Sequence, residues 1–135
     1  MINRLTGALD FQAQALALRA ERQRLVASNI ANADTPGYQA RDFDFASALR
    51  EATASGSTNT LGAPVTGDLL RSPGGRYQPT LQFATASQAN LDGNTVDMDR
   101  ERASFADNSV KYEATLRFIN GSVRTMLDAM KGHNQ

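Results

Sequence analysis

Met98, Phe105, Tyr112, Ile119 and Met126 stand seven residues apart near the C-terminal end of the chain. A repeat of seven holds one face of an α-helix toward a partner helix, and no other feature of this sequence constrains the fold as tightly. Companions four residues further on (Arg102, Ser109, Leu116, Val123 and Met130) complete an a/d register that is mostly apolar. The spacing predicts a helix over residues 97–131, on the order of 50 Å long. Asp97, Asp99 and Glu101 complement the positive end of its dipole, and Arg124 and Lys131 the negative end. Gly121 lies inside this helix, where glycine costs about 1 kcal/mol relative to alanine. It reads either as close packing against a neighbour or as a bend.

A helix this long needs a partner, and the N-terminal segment supplies one. Over residues 3–32, Leu5, Leu9, Leu16, Val26 and Ile30 recur at helical spacing, with Gln12, Arg19 and Gln23 filling the remaining seam positions. A second stripe, Phe11, Ala15, Leu18, Arg22 and Leu25, runs beside it. Together they predict one amphipathic helix of about 40 Å. It ends at residues 32–37, because Pro36-Gly37 cannot continue a helix. The expected fold is mainly α: long N- and C-terminal helices pairing as an antiparallel coiled coil around an irregular middle.

The middle holds all four prolines and most of the glycines. Residues 52–67, rich in Ala, Ser, Thr and Gly, read as a flexible loop. Residues 72–75 form a turn, residues 80–84 alternate like a short strand, and residues 41–52 suit one or two helical turns. The boundaries that follow are an N-terminal helix over 1–33, an irregular middle over 34–92 and a C-terminal heptad helix over 93–135, forming one domain.

Composition narrows the function. Fourteen basic and fourteen acidic residues balance to a net charge of zero, which argues against nucleic acid as a partner. Alanine supplies 21 residues, whereas Leu, Ile, Val and Phe together supply 27 of the 135. A core so thin leaves burial to be completed on neighbouring subunits. With no cysteine, disulfides and thiol chemistry are excluded. Polar residues from Gln12 to Arg22 interrupt any signal-peptide core, and no run approaches the roughly 18 apolar residues of a membrane span.

No catalytic constellation is found. His133, the only histidine, sits at a terminus that offers neither an orienting partner nor a pocket. The acidic segment 92–99 lacks the glycine and glutamate spacing of a calcium loop and reads as a turn and helix cap. Gly74-Gly75 is not followed by the Lys-Ser/Thr of a phosphate loop. Asn120-Gly121-Ser122 matches a glycosylation acceptor but lies within the predicted helix. No catalytic, metal or cofactor-binding residue is expected.

Two segments carry specific information. In Ser28-Asn29-Ile30-Ala31-Asn32-Ala33-Asp34-Thr35-Pro36-Gly37-Tyr38, Asn29, Asn32 and Asp34 can bond free backbone groups at a helix end. Thr35, Pro36 and Gly37 then force a change of direction, and Tyr38 offers a rigid anchor with a polar tip. This run resembles the Asn-x-x-Asn-x-x-Thr-x-Gly-Tyr signature of the flagellar rod and hook axial family. The second segment, Gly93-Asn94-Thr95-Val96-Asp97, together with Gln39-Ala40-Arg41-Asp42-Phe43 and the short middle, is similar to the proximal-rod members of that family. The resemblance covers residues 1–46 and 90–131.

The resemblance implies a structural subunit of the proximal rod, in the periplasmic space, exported without a cleaved signal by the flagellar type III export apparatus. Its helices would pair as a coiled coil and stack into a hollow drive shaft that transmits motor torque and encloses the export channel. Assembly would run through the seam residues Leu5, Leu9, Leu16, Val26, Ile30, Met98, Phe105, Tyr112, Leu116, Ile119, Val123, Met126 and Met130. Implied partners are further copies of the chain, a FliE-like adaptor and the MS ring at the base, and FlgC-type and other rod subunits beyond. No nucleic acid and no membrane insertion are expected. Phe45 and Leu49 resemble the Phe-x-x-x-hydrophobic element that docks rod and hook subunits at the export gate, and equally suit two apolar residues on one face of a short helix. The alternative function is a soluble helical adaptor or export chaperone that binds partner helices.

Overall fold

Leu18 and Gln23 lie in neighbouring stripes of the first helix and meet different partners. In the computed structural model, which describes residues 2–57, 79–84 and 90–132, this helix is α1 (Ile2–Ala31). It is followed by β1 (Arg41–Asp42), α2 (Phe45–Ser57), β2 (Gln82–Phe83) and α3 (Met98–Gly132). Leu18 belongs to the apolar core, where it packs with Phe43, Ala48 and Ala52 and with the half-buried Leu25, Phe45 and Leu49. The side chain of Gln23 instead crosses to α3 and donates to Ser109 Oγ at 2.8 Å. The stripe containing Leu18 and Leu25 therefore seats α2, while the stripe beside it meets α3.

The two long helices are antiparallel: Arg19 meets Thr115, Gln23 meets Ser109 and Asn29 meets Glu101. Helix α3 begins where Asp97 caps it. The Asp97 carboxylate accepts from the backbone of Asp99 and Arg100, and its carbonyl from Glu101 N. Helix α2 starts in the same way at Asp44, whose carboxylate accepts from Ala46 N and the Ser47 hydroxyl. That hydrogen bond to Ser47 holds the Asp44 carboxyl below its ordinary pKa.

Several expectations are corrected here. Residues 41–42 are strand rather than helix. Helix α2 starts only after the Asp44 cap and runs to Ser57, so residues 52–57 are helical and not part of a flexible loop. Ala48 and Ala52, one turn apart and both buried, give α2 the apolar edge that an alanine-rich stretch conceals. Residues 93–97 precede α3 and are not helical. The strand expected over 80–84 is present as β2, which pairs antiparallel with β1, Arg41 opposite Phe83 and Asp42 opposite Gln82. The loop over 58–67, the turn at 72–75 and His133 lie outside the described residues.

The seam of the coiled coil also differs from the expected register. The buried residues of α3 are Glu101, Asn108 and Thr115, three residues beyond the apolar heptad positions rather than four. Among the expected companions, Arg102 is exposed, Ser109 and Leu116 are half-buried, and Val123 and Met130 face solvent. The apolar heptad can close a seam with either flanking set. The polar set wins because Arg19, Gln23 and Asn29 of α1 are in place to bond it.

Candidate functional site

The two signature segments, about sixty residues apart in sequence, form one polar cap over the end of the helix pair. At its centre is Asn29, only 1% exposed. Its amide donates to Arg41 O at 2.9 Å and to Glu101 Oε2 at 3.3 Å. Its oxygen accepts from Arg41 N at 3.1 Å and from the Tyr38 hydroxyl at 3.2 Å. Both donors and both acceptor positions are thus used, which is the condition for burying an asparagine without penalty. Bonding both backbone groups of Arg41, Asn29 pairs with it much as an adjacent strand would.

Asn94, 2% exposed, performs the matching task from the other segment. Its amide donates to the carbonyls of Asn32, Ala33 and Thr35 at 3.0, 2.8 and 2.9 Å. These carbonyls belong to the turn that follows α1, where those of Asn32 and Thr35 also accept from Thr35 N and Tyr38 N. Asn94 thus ties down, from the far segment, the turn that ends α1. Its oxygen accepts from Val96 N at 2.9 Å, which sets the approach to α3.

The remaining signature residues hold the turn. Asn32 donates to Ser28 O and accepts from the Thr35 hydroxyl. Gly37 has φ +73° and Gly93 φ +74°, a left-handed conformation suited to glycine. The pair lie against each other, a Cβ on Gly93 falling 3.7 Å from Gly37 Cα. Gly37 N donates to Asp92 O at 2.8 Å, Thr95 N to Tyr38 O at 3.0 Å, and Ala40 N to Thr95 Oγ1 at 2.9 Å. Pro36 is exposed and lies in the turn, beyond the end of α1 at Ala31.

Charge enters the cap through Glu101. Burial pushes its carboxyl above the ordinary value of 4.5, against the opposing effect of the Asn29 hydrogen bond. Nearby, Arg22 pairs with Asp42 at 3.2 Å, and its Nε is buried with no hydrogen-bond partner. Arg19 lies 4.5 Å from the centre of the Phe45 ring and donates to Thr115 Oγ1. Burial, followed by the neighbouring Arg22, lowers its pKa.

The seam residues divide along the helix pair. Val26 is buried; Leu9, Leu16, Ile30, Met98, Tyr112, Leu116, Ile119 and Met126 are half-buried. Leu5, Phe105, Val123 and Met130 are exposed, together with Phe11, Val110, Phe118 and Leu127. Phe45 and Leu49 pack against the core. Gly121 sits on an exposed surface with nothing within 4 Å of an added Cβ, so no contact among the described residues requires a glycine there. Sequence reasoning overlooked Glu101, Asn108 and Thr115, although their own spacing of seven was visible beside the apolar repeat.

This geometry is a joint between the two ends of the chain, and relatives place the chain in a family. The profile of the family described as Flagella basal body rod protein matches residues 9–39, which covers much of α1 and the first signature segment. The flagellar basal body rod protein FlgB of Proteus mirabilis strain HI4320 is 46% identical, covering 97% of this chain and 98% of its own length. The proteins of that name from Salmonella typhimurium strain LT2 and Escherichia coli strain K12 are each 46% identical, over 99% of this chain and all of their own length. The chain belongs to the FlgB family of flagellar basal body rod proteins.

Proposed function

We propose that this chain is a non-enzymatic structural subunit of the proximal rod. It assembles with copies of itself and with other rod proteins into the hollow drive shaft that carries motor torque and encloses the export channel. The observation that carries this reading is the apolar surface left open on the helix pair: Leu5 and Phe11 on α1 and Phe118, Val123, Leu127 and Met130 on α3. A face of that kind on a slender helix pair calls for cover by neighbouring subunits. Contacts of this type are heterologous and do not close, so they build tubes rather than dimers. The chain acts as a single axial unit, with a FliE-like adaptor and the MS ring at its base and FlgC-type subunits beyond, in the periplasmic part of the basal body.

Delivery by the flagellar type III export apparatus would use Phe45 and Leu49. Both pack on α1 in the folded chain, so the gate would meet them only before folding. Phe45→Ala is expected to reduce secretion several-fold more than it changes the rods that form; unchanged secretion would remove the export role.

Electron microscopy of basal bodies from cells lacking the gene tests the main reading. Rings without rods, and loss of motility, are expected. Complete rods and hooks would instead point to a helical adaptor or export chaperone.

A further inference from the structure

On the α3 side, the α1–α3 seam is polar where it is buried. Glu101, Asn108 and Thr115 are the buried residues of α3, and each finds a specific partner on α1. Glu101 accepts from the Asn29 amide. The Asn108 amide donates to Gln23 Oε1 at 2.7 Å and to Arg19 O at 2.9 Å. Thr115 Oγ1 accepts from Arg19 Nε at 3.2 Å and donates to the carbonyl of Lys111. Leu5, Phe11, Phe118, Val123, Leu127 and Met130 meanwhile remain exposed, although other apolar residues of the two helices are buried or half-buried. A two-helix unit stabilised only for its own sake would cover those apolar side chains before it buried polar ones.

We infer that Glu101, Asn108 and Thr115 form a pairing code that fixes α3 on an α1 helix in one register and withholds it from slipped registers and from the other helix faces of neighbouring copies. An apolar seam is promiscuous, because leucine packs against any apolar face. A buried amide or carboxylate is tolerated only where its complement stands opposite, and a slipped α1 or a face without Asn29, Gln23 and Arg19 leaves it unsatisfied. In a slip of one heptad, Glu101 moves about 10 Å away from Asn29. The code keeps the intrachain pair weak but unambiguous, and reserves the strong apolar contacts for the exposed faces.

The test uses the full chain with Asn108→Leu and Thr115→Leu together, substitutions that favour helix packing. In sedimentation equilibrium the variant is expected to form helical oligomers at concentrations about tenfold below any at which the parent associates. Nitroxides on Ala20→Cys and Ala114→Cys, exposed positions in a cysteine-free chain, should report more than one separation in the variant. A monomeric variant with a single separation would overturn the inference. So would equal oligomerisation when the leucines are placed at the exposed Ala106 and Glu113 instead, because apolar bulk alone would then suffice.

Discussion

The capped end and the open end of the helix pair are built on opposite principles. At the capped end the largest fully buried side chains are Asn29 and Asn94, both held by directional bonds to the backbone of other segments. Toward the open end, no residue of α3 beyond Thr115 and no described residue of α1 before Ala15 is buried. Apolar side chains face outward there. Polar bonds fix angles and admit one geometry, whereas apolar surface adheres without choosing an orientation closely. The chain keeps its shape at one end and its adhesiveness at the other.

Substitutions at the two ends should separate these roles. The largest effect is expected from Leu127→Asp with Met130→Asp. Rod incorporation, counted in basal bodies by electron microscopy, should be lost, with little change in the helicity of the isolated chain. Normal rods would show that the open end is not where subunits adhere. At the other end, Asn94→Ala removes a buried amide that donates to three carbonyls and should cost roughly 3 kcal/mol in urea unfolding. Leu127→Ala should stay within about 0.5 kcal/mol in the same assay, and equal losses would erase the contrast.

Two glycines give a finer comparison. Gly37→Ala should destabilise by about 1 kcal/mol because of its positive φ, whereas Gly121→Ala should stabilise by up to about 1 kcal/mol. Urea unfolding checks both signs, and a loss on Gly121→Ala would reveal a constraint in α3 that the isolated chain does not contain.

The smallest effect is a pH dependence. The folded-state pKa of Glu101 is raised, so the native chain binds this proton more tightly than the unfolded chain. Above the raised pKa, burial of the carboxylate is a destabilising contribution. That contribution disappears as pH falls through the raised pKa toward the unfolded value near 4.5. Glu101→Gln should therefore raise the thermal midpoint at neutral pH and converge with the parent near pH 4. A gap independent of pH would mean that shape, not charge, governs the position.

Much of this architecture was legible in the sequence. The heptad of Met98 to Met126 gave the long C-terminal helix, the two stripes together gave α1 as one amphipathic helix, and Pro36-Gly37 marked the turn beyond its end. Asn29, Asn32, Gly37 and Tyr38 were legible as a helix-ending turn. That Asn94 would tie down the same turn from the far segment was not, because a long-range bond leaves no local periodicity. The buried set of α3 escaped for a related reason. Hydrophobic pattern identifies the residues that water repels, and Glu101, Asn108 and Thr115 are buried because Asn29, Gln23 and Arg19 receive them. The start of α2 was not legible, because residues 41–42 are held in a strand by the distant Gln82 and Phe83, and the helix is capped only at Asp44.

The hydrogen bond from Gly37 N to Asp92 O brings the entrance and the exit of the middle segment to one point. The middle segment thus leaves and rejoins the helix pair at one place. Lengthening such a loop is inexpensive, about 0.6 kcal/mol for each doubling. The cap is therefore also a socket: an added outer segment could be accommodated there while the two long helices kept their alignment.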